Sequence, residues 1–255
     1  MHAIVLAAGY ARRLSPLTDN CPKALLPVRG VPLLDYVMAK VFAVPAVEAV
    51  TLVSNHRFIA HFENWLRWRR PPVPMRLLDD GTLTNETRLG GIGDLRFAVE
   101  RHDIRGDALV LAADNLFAAD LSQMAAFANE RRASCVITRR LDDLKAQQRT
   151  GIAVLDGDGR LVEFQEKPQV PKSNLAVPPI YVYRKESLRL LGEYLDGGNN
   201  PDAPGNFIAW LCAREPVFGW RCDGEIWDIG NLEQYALAQE RFDAAKESAF
   251  GIRPW

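Results

Sequence analysis

Apolar residues fall along this chain in two rhythms. Ala3 to Ala8 is a short unbroken apolar run, the pattern of a buried strand. Pro32 to Val44 carries Leu33, Leu34, Val37, Val41 and Phe42 at helical spacing, with a proline at its first turn. A strand follows at Val47–Val53, a helix at Phe58–Trp68 and a short strand at Met75–Leu78, closed by Asp79-Asp80-Gly81. A Gly-rich stretch leads into a helix at Ile92–Glu100. Then come a strand at Ala108–Ala113, a helix at Leu121–Arg131 and a strand at Ser134–Thr138. This strand–helix alternation predicts a parallel sheet covered by helices. Ligands of such sheets sit at the carboxyl ends of the strands.

The second half changes rhythm. Gly151–Asp156 and Arg160–Phe164 read as two strands joined by the turn Gly157-Asp158-Gly159. Ile180–Tyr183 is a further strand, and Glu186–Leu195 and Phe207–Cys212 are helical. Val217–Trp227 is strand-like with a break at Gly224, and Asn231–Ser248 is a last amphipathic helix.

Composition narrows the classes. The 255 residues are 48% hydrophobic and 25% charged with a formal net charge of −1, which suits a globular domain and supplies no basic field for nucleic acid. The cluster Arg67-Trp68-Arg69-Arg70 reads as a solvated helix end. No apolar run reaches the roughly 18 residues of a membrane helix. The chain enters a strand at once, without a basic flank or cleavage site, so no signal peptide is expected. Cys21, Cys135, Cys212 and Cys222 have no metal spacing and read as free thiols of a cytoplasmic protein.

Candidate chemistry gathers at strand ends. After the first strand, Ala7-Ala8-Gly9 lets backbone approach a ligand closely, and Arg12, Arg13 and Lys23 follow. Backbone N–H groups with fixed cations make a cradle for a polyphosphate. It is not a Walker loop, because no Gly-Lys-Ser/Thr follows. It is not a dinucleotide fingerprint, because Ala11 and Leu14 replace glycines. Gly90, Gly91 and Gly93 permit close approach to a flat ligand, or form a flexible surface loop. Asp114, at the tip of an apolar strand, suits Mg²⁺ beside phosphates, or caps a turn. Glu166-Lys167 alone reads equally as a surface ion pair.

Taken together, the string from Ala3 to Val28 resembles the N-terminal signature of the sugar-phosphate nucleotidyltransferases, Leu-Ala-Ala-Gly-x-Gly-x-Arg-Leu-x-Pro-Leu-Thr-x-x-x-Pro-Lys-x-Leu-Leu-Pro-Val. Ala11 is its one clear departure, and a positive φ there would cost alanine about 1 kcal/mol. Three later stretches follow in the family's order: Ala113-Asp114-Asn115, then Gln165-Glu166-Lys167-Pro168 with Pro171–Val177, then Trp227-Asp228-Ile229-Gly230. Pro178-Pro179 replace the family's usual Thr-Gly or Ser-Gly pair, and Leu89–Leu95 matches the family's base-covering segment only in part.

The resemblance covers about residues 1–245 and implies an α/β fold, a Rossmann-like three-layer sandwich with a mixed, mostly parallel central sheet and a small sugar-binding sub-lobe. Residues 1–140 would be mainly the nucleotide half, 141–230 mainly the acceptor half, and 231–255 a C-terminal helix and tail. It implies Mg²⁺-dependent transfer of a nucleoside monophosphate from an NTP to a sugar 1-phosphate or sugar-like phosphate, giving an NDP-sugar and pyrophosphate. Arg13, Lys23 and Lys167 would be catalytic, and Asp114 and Asp228 would hold Mg²⁺. Leu6, Ala7, Ala8, Gly9, Tyr10, Ala11, Arg12, Asn85, Leu89, Gly90 and Gly91 would bind the nucleotide. Asn115, Gly151, Glu166, Asn174 and Tyr181 would bind the acceptor. No nucleic acid or membrane partner is expected. A cytidylyltransferase acting on a non-sugar phosphate such as phosphocholine, a non-catalytic nucleotide- or sugar-binding regulatory homologue, the nucleobase and homo-oligomer formation all stay open.

Overall fold

A computed structural model describes residues 1–242. Its first strands are β1 (His2–Leu6), β2 (Pro27–Val28), β3 (Val31–Pro32), β4 (Ala49–Ser54), β5 (Met75–Asp79), β6 (Ala108–Ala112) and β7 (Asn115–Phe117). The later ones are β8 (Ser134–Arg140), β9 (Gly151–Leu155), β10 (Leu161–Glu166), β11 (Leu175–Val177), β12 (Ile180–Tyr183), β13 (Val217–Arg221) and β14 (Ile226–Asp228). The helices are α1 (Leu33–Phe42), α2 (Ile59–Arg67), α3 (Gly91–Arg101), α4 (Leu121–Arg131), α5 (Leu144–Gln147), α6 (Lys185–Arg189), α7 (Leu191–Asp196), α8 (Pro204–Leu211) and α9 (Leu232–Arg241).

The chain forms two compact units, each built from separated segments. One comprises His2–Arg88, Ala112–Ser122 and the chain from Gly224; the other comprises Leu89–Leu111 and Gln123–Asp223. In the first, β1, β4 and β5 pair in parallel, with Ile4 opposite Thr51 and Thr51 opposite Arg76. Ile4, Val5, Leu52 and Val53 are fully buried, which explains why these strands read as unbroken apolar runs. Leu33 on α1 closes a core with Leu14, Val28, Leu116 and Ile229. Each such side chain contributes roughly 2 kcal/mol by burial.

The second unit is mixed. β12 runs antiparallel to both β6 and β8, β11 antiparallel to β8 and β9, and β10 antiparallel to β9, while β13 runs parallel to β8. Tyr183, Tyr194, Phe207 and Trp210 form its aromatic core, with neighbouring ring centroids 5.3–5.9 Å apart. The α/β class is borne out.

Several local expectations change. The predicted helix at Glu186–Leu195 is two helices, α6 and α7, meeting at Leu190. β2, β3, β7 and β11 have two or three residues each, too few to show a period. Only part of the basic cluster is solvated. Trp68 is exposed, whereas Arg69 stacks over Trp65 at 4.6 Å and donates to Asp35 Oδ2 at 2.7 Å. The predicted residues 243–248 of the last helix lie outside the described residues. All four cysteines are free thiols. Among the described residues no helix is long and apolar enough to cross a membrane.

Candidate active site

The loop after β1 is fixed from inside. Ala7 N–H donates to the Val53 carbonyl at 2.8 Å, and Asn55 Nδ2 donates to the Ala8 carbonyl at 2.8 Å. Asn55 is wholly buried, and its Oδ1 accepts Phe58 N–H at 3.0 Å, so both ends of its amide are used. Tyr10 is buried and its hydroxyl lies 3.0 Å from Thr82 Oγ1. A side chain on exposed Gly9 would meet no protein atom, so this side of the loop is open. The loop then turns through Ala11, whose φ of 46° and ψ of 39° are left-handed. The strain anticipated at the family's glycine position is therefore present, at about 1 kcal/mol. Thr18 Oγ1 donates to the Ala11 carbonyl at 3.0 Å, and buried Leu14 anchors the following 3₁₀ turn, Arg12–Leu14.

That turn presents two arginines differently. Arg12 pairs with Glu86, and the exposed pair contributes little to stability. Arg13 has no side-chain hydrogen bond or ion pair among the described residues. Its Nη2 and Asp228 Oδ2 lie 3.7 and 3.4 Å from the point a Cβ on Gly230 would occupy. Arg13 and Asp228 thus converge although 215 positions separate them (228 − 13).

Backbone pairing brings the two predicted metal carboxylates into one neighbourhood. β7 and β14 run antiparallel with Asn115 opposite Asp228, and Ile229 N–H donates to the Asp114 carbonyl at 3.4 Å. Lys23, on a 3₁₀ turn (Lys23–Leu25), donates to Asp114 Oδ2 at 2.7 Å with its side chain only 13% exposed. Asn115 Nδ2 donates to Asp114 Oδ1 at 2.8 Å. Asn115 is buried, so its amide supports Asp114, a partner its predicted acceptor role did not include. Beyond β14, Asn231 caps α9 by accepting Gln234 N–H at 2.8 Å, and Gln234 Oε1 accepts Gly230 N–H at 2.8 Å. This cap holds the turn that follows Asp228.

Among the described residues no three of His, Cys, Asp and Glu gather as a metal cluster. A pair of carboxylates is the set Mg²⁺ commonly uses, since it retains several waters and takes substrate phosphate oxygens. Asp114 and Asp228 fit that requirement.

The second unit carries the remaining candidates. Glu166 and Gly151 are register partners of β10 and β9. The Glu166 side chain is 19% exposed with Lys167 Nζ 3.4 Å from Oε1. Burial pushes its carboxyl above the usual range, and Lys167 pulls the other way. The pair is therefore unlike a solvated surface bridge. Lys167 leaves the strand with a left-handed φ of 48°, its N–H donating to the Thr150 carbonyl at 3.2 Å and its side chain 57% exposed. Tyr181 is buried beside this group, and burial raises its phenol well above the ordinary value. Asn174 Nδ2 donates to Asp142 Oδ1 at 3.0 Å.

The predicted nucleotide residues divide between the units. Leu6 to Arg12 and Asn85 lie in the first, Leu89 to Gly91 in the second. Asn85 sits in a turn whose carbonyl accepts Arg88 Nη1 at 2.6 Å. Gly90 has a φ of 83°, and a side chain there would stand 2.5 Å from the Pro201 carbonyl oxygen. Gly91 and Ile92 N–H donate to the Asp202 and Pro201 carbonyls, each at 2.8 Å. These two amides are thus spent inside the protein. Asn55, Thr82 and Gln234 had no role in the sequence reading. Asn55 stands at the tip of its strand, a signal that could have found it.

Several known proteins are similar to this chain. The glucose-1-phosphate adenylyltransferase of Thermomicrobium roseum is 28% identical over 253 residues, 91% of this chain and 57% of that one. The UTP--glucose-1-phosphate uridylyltransferase AglF of Haloferax volcanii is 29% identical over 185 residues, 72% of each chain. The chain spans about half the length of the first curated relatives it matches. A UTP-bound UGPase from Acinetobacter baumannii superposes with a TM-score of 0.78 at 19% identity, covering 96% of this chain and 93% of that one, so the two share a fold. The family described as Nucleotidyl transferase matches residues 2–244, and the chain belongs to that family.

Proposed function

We propose that this protein transfers a nucleoside monophosphate from an NTP to a sugar 1-phosphate, giving a nucleotide sugar and pyrophosphate. The observation that carries the reading is the convergence, within one unit, of Arg13, Lys23, Asp114 and Asp228 from three separated segments. Two cations and two carboxylates beside an open small-residue loop are the equipment for a metal-bound polyphosphate. The named relatives support a glucose 1-phosphate-like acceptor, with different nucleotides between them.

The Ala7–Gly9 backbone and Arg13 would hold the triphosphate, and Lys23 would turn from Asp114 to its phosphate oxygens. Asp114 and Asp228 would hold Mg²⁺, which when bound neutralises phosphate charge. Lys167 would receive the acceptor phosphate, and Glu166 would accept hydrogen bonds from sugar hydroxyls. An acceptor phosphate oxygen then bonds to the α-phosphorus while the bond from that phosphorus to the β-phosphate oxygen breaks. The attacking oxygen is already anionic, so no general base is needed. The residues serve to bring two anions into line and screen them.

The test is product identification. The protein is incubated with Mg²⁺, each of the common NTPs and a set of sugar 1-phosphates, with phosphocholine included, and the mixture is analysed by mass spectrometry. A nucleotide sugar from one preferred pair is expected. A CDP-choline product would move the acceptor to the non-sugar class, and no new nucleotide from any pair would count against the reading.

A further inference from the structure

Phe164 and Glu166 stand two residues apart on β10, so both side chains leave one face of that strand. α8 packs on β10, and its second residue is Gly205. A methyl group on Gly205 would overlap Glu166 Oε2 and come within 2.8 Å of Phe164 Cε1. A methyl group on Gly151 would overlap Phe164 Cζ. The Phe164 ring is thus edged by two glycines, and the Glu166 carboxylate rests where a side chain on α8 would otherwise be.

The two neighbours of Gly205 differ in how readily they yield. Phe164 is buried within β9, β10 and α8. Glu166 is the end of a flexible side chain with a partly open outer edge. A side chain at position 205 would therefore turn the carboxylate away, the largest of the overlaps, while the ring edge 2.8 Å off would have to give by a few tenths of an ångström. Lys167 Nζ is 3.4 Å from one oxygen, and a carboxylate offers about four lone-pair sites, so acceptor capacity is left for a ligand.

We propose that Gly205 is a positioning residue for acceptor recognition: its lack of a side chain lets Glu166 hold its carboxylate against α8, where it accepts hydrogen bonds from the hydroxyl groups of the acceptor sugar. The proposal rests on the acceptor role given to Glu166 above.

The test is Gly205→Ala, examined in two ways. In steady-state kinetics with the sugar 1-phosphate that turns over best, its KM should rise tenfold or more while the KM for NTP stays within twofold. On a Glu166→Ala background the same change should add less than twofold. Gly192→Ala, where a side chain meets no atom within 4 Å, should leave both constants unaltered. Independently of turnover, a ¹³C NMR titration of the Glu166 carboxyl should find it above the ordinary range in the parent protein and moved down towards it in Gly205→Ala. An unchanged acceptor KM, an additive effect on Glu166→Ala, or an unmoved titration would overturn the proposal. If no sugar phosphate turns over, that result falls on the transfer reaction, and the titration still decides the role of Gly205. Should Gly205→Ala fail to fold, Phe164→Leu/Gly205→Ala gives the methyl room beside the ring and is compared with Phe164→Leu in the same titration, with the same outcomes.

Discussion

Gly90→Ala measures how the glycine-rich segment is built. Gly90 has φ 83° and ψ 160°, a region that residues with a Cβ scarcely enter, and occupying it costs about 2 kcal/mol. The added methyl would also stand 2.5 Å from the Pro201 carbonyl oxygen and 2.8 Å from Asp202 Cα. Both are backbone atoms, so the 201–202 loop must retreat. Its retreat strains the two 2.8 Å hydrogen bonds that tie Gly91 and Ile92 to that loop, at about 1 kcal/mol each. The sum is about 3–4 kcal/mol, or a fall in Tm of about 6–15 °C for a chain of this size. Equilibrium urea unfolding supplies the free energy, and Gly106→Ala the comparison. Gly106 has ordinary φ and nothing within 4 Å, so alanine there should stabilise by about 0.4–1 kcal/mol. If Gly90→Ala cost less than about 1 kcal/mol, the argument from the Pro201–Asp202 contact would be refuted.

Other perturbations follow from the same geometry. Lys23→Met should lower kcat/KM by about 100-fold or more, since a charge that screens phosphate is lost and Asp114 loses its 2.7 Å partner; a loss under tenfold in steady-state assays would contradict the role. Ala11→Gly trades about 1 kcal/mol of relieved strain against a similar gain in unfolded-state freedom and should be near neutral in urea, whereas Ala11→Val should be at least about 2 kcal/mol worse than glycine. Glu166 binds its proton more tightly in the folded protein than in the unfolded chain. Its contribution is therefore fully present below the ordinary glutamate range and is lost as pH rises through the raised folded value. Glu166→Gln should remove that dependence, so urea midpoints from pH 4 to 8 should fall less steeply with rising pH than in the parent protein. Parallel slopes would place the Glu166 carboxyl in water.

Local patterns were legible where one element decided them. The apolar run into Ala7-Ala8-Gly9 announced both a buried strand and an open loop, because burial and close backbone approach leave direct marks on residue choice. Ala11 was legible as a strained departure, since only the backbone angle had to be supplied. Long-range pairings were not. Nothing near Lys23 announces Asp114, 91 positions away, and the register that sets Asn115 opposite Asp228 is a property of two very short strands. Glu166-Lys167 reads as a surface pair until α8 covers one side of it. The acceptor roles given to Asn115 and Asn174 came from resemblance alone, and the structure adds Asp114 and Asp142 as partners of their amides. Leu190 carries no helix-breaking signal, yet α6 ends and α7 begins at it, with φ −79° and ψ −7°.

The central claim is that Asp114 serves phosphoryl chemistry. Pyrophosphate release with Mg²⁺, the preferred NTP and its sugar 1-phosphate, compared between the parent protein and Asp114→Asn, tests it most directly. Steady release that falls by about 100-fold or more in Asp114→Asn, with urea unfolding little changed, is the predicted result. Release that persists undiminished in the variant, or a folded parent protein that releases no pyrophosphate and binds no NTP, would contradict the account.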